Sequence, residues 1–424
     1  MVSRRSLLQA VPLAVAALGV PVHARRRAAS GSSGRVPPDP ASASAAATAV
    51  RGFTADLYRS LAAASPDGNV VCAPYSVALA LAMTRAGAGS TTADEMDTVL
   101  HAPQPRPAAL DNGLNTVDQL LAARYQDGDG IKAPKLTTAN ALWTRLDLTL
   151  RPAFQDVLAG YYGAAAHPLD FRGATEEARQ EINTWASDRT NSRIPELLQS
   201  GSVSPDTALI LTNTIYLKAP WRYPFTVPAT ATAPFTRDDG RVVDVPLMRG
   251  PFERMGYLET DGWRAVDVPF ADGSLAMAVV MPTRPGLAAV EAQLDEAWLR
   301  SLLLGFRIQD VRLRLPKWTF RLPVQLGATL SGLGMPTAFT ARADLTGMST
   351  DPSLKIDDVV HETFIGIDEK GAEAAAASAV IIRPPSIPSG PDFFVDRPFL
   401  YVIHDRSSGV PLFIGRVHDP SVTR

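Results

Sequence analysis

From about residue 49 to residue 372 this 424-residue chain alternates helical and strand-like patterns with no low-complexity break. A chain so continuous leaves no room for a flexible linker, so one large mixed domain is expected, although the length alone would accommodate two or three. "AVRGFTADLYRSLAA" sets Val50, Phe53, Leu57 and Leu61 at helical spacing, and "YSVALALAMTRAGAGSTTADEMDTVL" reads as a helix, a glycine-rich break and a second helix. "EEARQEINTWASDRTNSRIPELL" is a further amphipathic helix closed by a turn before Pro195. Strands then dominate: "ALILTNTIYLKA", then "WRAVDVPFADGSLAMAVVMP" with a hairpin turn at Ala271, Asp272 and Gly273. In "VRLRLPKWTF", Val311, Leu313 and Leu315 alternate with Arg312 and Arg314, and "FLYVIHD" and "PLFIGRVHD" straddle "RSSG" as a terminal hairpin. The expected class is α+β, with largely antiparallel sheets.

An apolar share of 46% is ample for a buried core, and a net charge of −2 removes the simplest case for nucleic acid as a partner. The single cysteine, Cys72, excludes an intrachain disulfide, and its apolar neighbours "NVVCAPYS" mark it as a small buried hydrophobe. The N-terminus, "MVSRRSLLQAVPLAVAALGVPVHA", has a charged start, an apolar stretch and small residues at Val22 and Ala24 beside a plausible cleavage point. Arg4 and Arg5 give residues 1–24 the character of a twin-arginine export signal, too short and proline-interrupted to span a bilayer. Secretion is expected, with no membrane association after cleavage. Residues 25–48, rich in Ser, Pro, Gly and Ala, read as a flexible leader.

The usual catalytic constellations are missing from the sequence: no nucleophile elbow, P-loop or dinucleotide fingerprint occurs. "HETFI" at 361–365 begins like a zinc-protease helix, but Ile365 stands where the second histidine belongs. "DGDG" at 127–130 lacks the later ligands of a calcium loop and reads as a turn. No metal, no cofactor and no enzymatic activity is expected. What remains unexplained is "EKGAEAAAASAVIIRPPS" at 369–386, a strong helix former with no apolar stripe to dock it, whose plain reading is a solvated linker.

In order along the chain, "NVVCAPYSVALALAMTRAGAGSTTADEM", "INTWASDRTNSRIPELL", "LILTNTIYLKAPWRYPF", "VDVPFADGSLAMAVVMP", "LRLPKWTF", "LGMPTAFTARADLTGMS", "KIDDVVHETFIGIDEKGAEAAAASAV" and "FFVDRPFLYVI" with "PLFIGRV" resemble the serpin family from about 50 to 420. With its export signal the chain is similar to a secreted bacterial serpin. The resemblance implies a serpin fold over 49–424, three β-sheets and about nine helices, with an exposed reactive loop over about 369–391. It also implies a monomeric suicide inhibitor whose partner is a target serine protease. The protease cleaves the loop, forms a covalent acyl-enzyme and is trapped as the loop inserts into the main sheet. The alternative is a non-inhibitory serpin acting as a carrier or chaperone.

Under that resemblance the alanine run acquires a physical reason. A segment that slides between two existing strands needs small side chains and no proline to interrupt the new ladder. Glu369 and Lys370 mark the loop base, Gly371 supplies backbone freedom, and Ala372, Glu373, Ala374, Ala375, Ala376 and Ala377 form the hinge. Strand alternation sends Ala372, Ala374, Ala376 and Ser378 inward and leaves Glu373 facing solvent. Insertion adds about a dozen backbone hydrogen bonds at about 1 kcal/mol each, a driving force on the order of 10 kcal/mol. The scissile bond falls within Ile382, Arg383, Pro384, Pro385, Ser386 and Ile387. Family spacing points to Pro385–Ser386, Arg383 suits a trypsin-like enzyme but precedes Pro384, and Ser386–Ile387 suits an enzyme accepting small residues. The resemblance also implies a hydrogen-bonded cluster at Ser76, Asn213 and His361 where the main sheet opens, and Trp221 at the top of that sheet. The chain departs from the family at Ala73, where a serine is usual.

Overall fold

The computed structural model describes residues 34–103, 108–130, 132–373 and 390–422. The expected export signal over 1–24, the expected hinge positions 374–377 and the expected scissile window 382–387 lie outside these residues. Asp39 caps the first helix α1 (Pro40–Ala64), its side chain accepting from the Ala41 N–H, and Pro40 sits at the first turn, where its missing N–H costs nothing. The flexible leader expected over 25–48 is therefore corrected from residue 34 onward. Ala46 and Ala47 are buried in α1, and alanine forms helix well without giving the long apolar periodicity that betrays one in a sequence. Helices α2 (Pro74–Arg85), α3 (Ser90–Val99) and α4 (Ala108–Tyr125) follow. A Cβ at Gly113 would lie 2.6 Å from that of Ala46, so this glycine lets α1 and α4 close on one another. Just before α1, Arg35 donates to Asp118 on α4 at 2.6 Å, and the Val36 carbonyl accepts from Asn115.

The remaining helices are α5 (Pro152–Val157), α6 (Thr175–Arg189), α7 (Ala288–Glu291), α8 (Glu296–Gly305) and α9 (Gly327–Leu333). None among the described residues is long and apolar enough to cross a membrane.

Short strand β1 (Val70–Cys72) leads into α2, and β2 (Lys135–Arg145), β3 (Ala166–Leu169) and β4 (Leu209–Pro220) begin a six-stranded sheet. That sheet is completed by β10 (Trp318–Gln325), β11 (Asp358–Asp368) and the two-residue β12 (Gly371–Ala372), in the order β10-β11-β12-β4-β2-β3. The other network contains β5 (Ala231–Thr236), β6 (Val242–Glu259), β7 (Trp263–Pro269), β8 (Leu275–Pro282), β9 (Arg307–Pro316), β13 (Asp392–Phe394), β14 (Phe399–Asp405) and β15 (Val410–Val417), together with β1. Three sheets are expected from the resemblance. Here β6 is 18 residues long and pairs β5, β7 and β9, so a single strand with a register shift between Arg249 and Phe252 carries two of them in one ladder.

The sequence "VRLRLPKWTF" divides at Lys317: β9 belongs to one sheet and β10 to the other. Val311, Leu313 and Leu315 are buried, as their alternation predicts, and the β7–β8 and β14–β15 hairpins form at the turns read from the sequence. "HETFI" lies on β11, a strand, not on a helix. Cys72 is fully buried, and burial pushes its thiol pKa up, so it is an inert part of the core.

Candidate functional site: the parting strands of the six-stranded sheet

Strands β4 and β11 run parallel and pair directly from Ile210↔Asp358 to Ile215↔Thr363. Above that point they part. Asp368 accepts from the Lys370 and Gly371 N–H groups through Oδ1, turning the chain at Glu369–Lys370 so that it re-enters the sheet. Gly371 and Ala372 then pair with Asp368 and Ile367 on one side and with Pro220 and Ala219 on the other. This strand is antiparallel to both neighbours. Gly371 is demanded twice over: its φ is +147°, and a Cβ would lie 2.1 Å from the Ala219 carbonyl oxygen. Ala372 is fully buried, so only a small apolar side chain fits between the strands.

The loop base is anchored by charge and by an indole. The Glu369 carboxylate accepts from the Thr230 hydroxyl at 2.8 Å and pairs with Lys317 at 2.9 Å. Burial pushes this carboxyl up, but Lys317 and Thr230 outweigh it and hold the pKa below its ordinary value. The Trp221 indole N–H donates to the Asp368 carbonyl at 2.9 Å and its backbone N–H to the Lys370 carbonyl at 2.8 Å. The ring is stacked on Phe270 at 4.5 Å, so aromatic packing fixes the direction of the indole bond.

Glu373 does not face solvent, which corrects the strand-alternation reading. Its φ is +46°, outside the β region, so alternation no longer decides where the side chain points. The carboxylate receives the Arg193 Nε–H at 2.6 Å and the Tyr216 hydroxyl at 3.3 Å, and only 11% of the side chain is exposed. Burial raises its pKa, opposed by Arg193.

Where β4 and β11 still touch, three strands place a polar residue on one rung: Asn140, Asn213 and His361. The Asn213 amide donates to Ser76 on α2 and to Asn140, and its carbonyl oxygen accepts from His361 Nδ1 at 2.7 Å. His361 Nε2 then accepts from the Ala73 backbone N–H at 3.1 Å and from the Thr363 hydroxyl at 2.7 Å. These partners specify a neutral, Nδ1-protonated ring. Burial agrees, pushing the His361 pKa down to about 4.

Ser76, Asn213 and His361 are thus brought together as the resemblance implies, while Trp221 stands apart at the loop base. Asn140 and Thr363 were missed. The signal for Asn140 is its position in "LTTANALW", a polar residue in an otherwise strand-like run, which becomes meaningful only once its register against Asn213 is known. The hydroxyl absent at Ala73 is not needed for His361, because the backbone of Ala73 reaches it. Among the described residues no group of three acidic, histidine or cysteine side chains could hold a metal.

The family model described as serpin (serine protease inhibitor) matches residues 48–420. A serpin-like protein of Thermococcus kodakarensis is 35% identical over 375 residues, covering 88% of this chain and 85% of its own. The leukocyte elastase inhibitor of Sus scrofa is 33% identical, covering 87% of this chain and 97% of its own. Among solved structures, a serpin of the insect Tenebrio molitor is similar with a TM-score of 0.77 at 28% identity, covering 88% of this chain and 98% of its own. Thyroxine-binding globulin in complex with thyroxine is similar with a TM-score of 0.77 at 26% identity, covering 89% and 99%. A domain-long family match, relatives of this identity and an α+β fold with a hinge entering between parallel strands place the chain in the serpin family, whose members are generally protease inhibitors.

Proposed function

We propose that this chain is a secreted, monomeric suicide-substrate inhibitor of serine proteases. The observation that carries the reading is the seating of Gly371 and Ala372 between β4 and β11, antiparallel to both. Every residue that follows as far as 379 is small except Glu373, so the ladder begun by β12 has side chains fit to continue it. Strand addition of this kind draws its energy from backbone hydrogen bonds, and loop insertion by serpins is a recognised case.

The protease serine attacks a peptide carbonyl between residues 382 and 387, forming an ester and expelling the amine on the C-terminal side. Once that bond is broken, the segment from Gly371 is tethered at one end only and extends β12 down the sheet, carrying the esterified protease with it. Extension requires β4 and β11 to separate below Thr363, which breaks the rung between Asn213 and His361. A fully bonded buried cluster holds the sheet shut before cleavage and is lost cooperatively after it. The export signal at Arg4 and Arg5 supports action outside the cell.

The test is incubation with subtilisin-, elastase- and trypsin-like proteases, followed by denaturing gel and intact mass. A covalent complex and a released fragment beginning within 383–387 are expected. Cleavage without trapping by any of the three classes would favour the alternative, a non-inhibitory carrier or chaperone.

A further inference from the structure

On the outward side of the nine-stranded network, β6 and β9 carry a group of arginines that exceeds the carboxylates beside them. Arg249 on β6 lies directly opposite Arg314 on β9, and Arg314 lies opposite Phe394 on β13. Like charges directly opposite on adjacent strands cost stability. No carboxylate pairs with Arg249, Arg254 or Arg314 among the described residues, although Asp310 stands across from Arg254 in register. Arg314 instead lies over the Phe394 ring at 3.9 Å, with Arg312 at 5.4 Å from the same centroid. Asp392 is committed to Arg312 at 2.6 Å, and its carboxyl is held below the ordinary range by Arg312 first, then by Arg314 and Arg264. With the Arg312–Asp392 pair set aside, this face sets Arg249, Arg254 and Arg314 against Asp310, in a chain whose net charge is −2.

The position of the patch is as telling as its charge. Gly390 passes so close to β9 that a Cβ there would lie 1.9 Å from the Asp310 carbonyl oxygen, and β13 follows at once. The returning leg of the loop thus lands on the arginine face. At about 3.3–3.6 Å per residue, Ile387 can stand at most roughly 11 Å from Gly390 and Ile382 roughly 29 Å. A protease domain of about 200 residues is roughly 40 Å across. A protease of that width, holding a bond at the near end of the window, stands within reach of this face.

We propose that the Arg249, Arg254 and Arg314 face is a docking surface for acidic side chains bordering the active-site cleft of the target protease. Its role is to steer and orient the encounter before the loop is cut, which affects association rate more than the fate of the acyl complex. This rests on the proposed function and adds to it the electrostatic character of the target.

The experiment compares two proteases of like primary specificity, one acidic and one basic around the cleft, against the wild-type chain and the double variant Arg249→Glu/Arg254→Glu. Expected is a fall of about tenfold in the rate of trapping the acidic protease at low salt, shrinking as salt screens the field. The number of inhibitor molecules consumed per protease trapped stays unchanged. The basic protease is trapped no more slowly, and Arg249→Lys/Arg254→Lys keeps the wild-type rate, which separates charge from folding. Equal rates for wild type and the charge-reversed variant with both proteases overturn the docking role alone. Loss of retention on a sulfated polysaccharide matrix without any change in those rates assigns the face to a polyanion and overturns it as well. A wild-type chain that traps no protease overturns the proposed function and the docking role together.

Discussion

Arg193, in the turn after α6, donates to the carboxylate of Glu373, the first residue beyond β12, at 2.6 Å, and lies 5.3 Å from the centre of the Phe364 ring on β11. One side chain thereby ties the segment leaving α6 both to the hinge and to the strand beside it. Arg193→Ala would leave Glu373 with the Tyr216 hydroxyl alone. Because nearly half of Arg193 is exposed, solvent screens the pair and a coupling of about 1 kcal/mol is expected in a double-mutant cycle with Glu373→Gln. Hydrogen exchange at the amides of 371–373 should quicken in Arg193→Ala, and Glu373→Gln should cancel most of that change. Unaltered exchange in the single variant would remove the clasp from the account.

Ala372→Arg should turn the inhibitor into a substrate. The side chain at 372 is fully buried between β4 and β11, where an unpaired guanidinium would cost several kcal/mol. The chain should be cleaved at an undiminished rate with no complex surviving a denaturing gel. A stable complex formed by this variant would sink the insertion mechanism.

The rung that joins three strands predicts an order of severity. Thr363→Val removes one of two donors to His361 Nε2 and leaves the Ala73 N–H in place, so about 1 kcal/mol of unfolding free energy should be lost. Asn213→Ala strips partners from Ser76, Asn140 and His361 together and should cost about 3 kcal/mol or more. Denaturant unfolding measures both. The reverse order would mean that Asn213 is not the hub.

Acid should loosen the same rung. The His361 pKa is depressed in the fold to about 4, against about 6.5 when unfolded, so below pH 6.5 the unfolded chain binds the proton first. The stability that His361 contributes is fully present above pH 6.5 and is lost as pH falls toward 4, on the order of 3 kcal/mol in all. The melting temperature of the wild type should drop more between pH 7 and 4.5 than that of His361→Gln. Parallel curves would show that the histidine is already charged in the folded chain.

Much of the fold was legible because its strands alternate: Val311, Leu313 and Leu315 announce a buried face, and the β7–β8 turn at 271–273 announces a hairpin. The first half of α1 was not legible, because a helix built from alanine and serine shows no periodic contrast until Ala46 is seen against Gly113. At the site, Ser76, Asn213 and His361 could be named from the resemblance, whereas Asn140 could not. Its role depends on which strand lies beside β4 and in what register, and pairing across more than 70 positions leaves no local mark. Glu373 was misplaced for a related reason: alternation describes a strand, and a positive φ one residue past β12 ends the strand.

Lys317 is the sole residue between β9, which bears the arginine face, and β10, which borders the opening sheet, and its ammonium holds Glu369. Its backbone N–H is bonded to Pro246 on β6. Consecutive Cα atoms are about 3.8 Å apart, so this crossing has no slack. The two sheets therefore meet as a crank and its pin: neither can slide along its strands without dragging the ammonium that grips the foot of the loop.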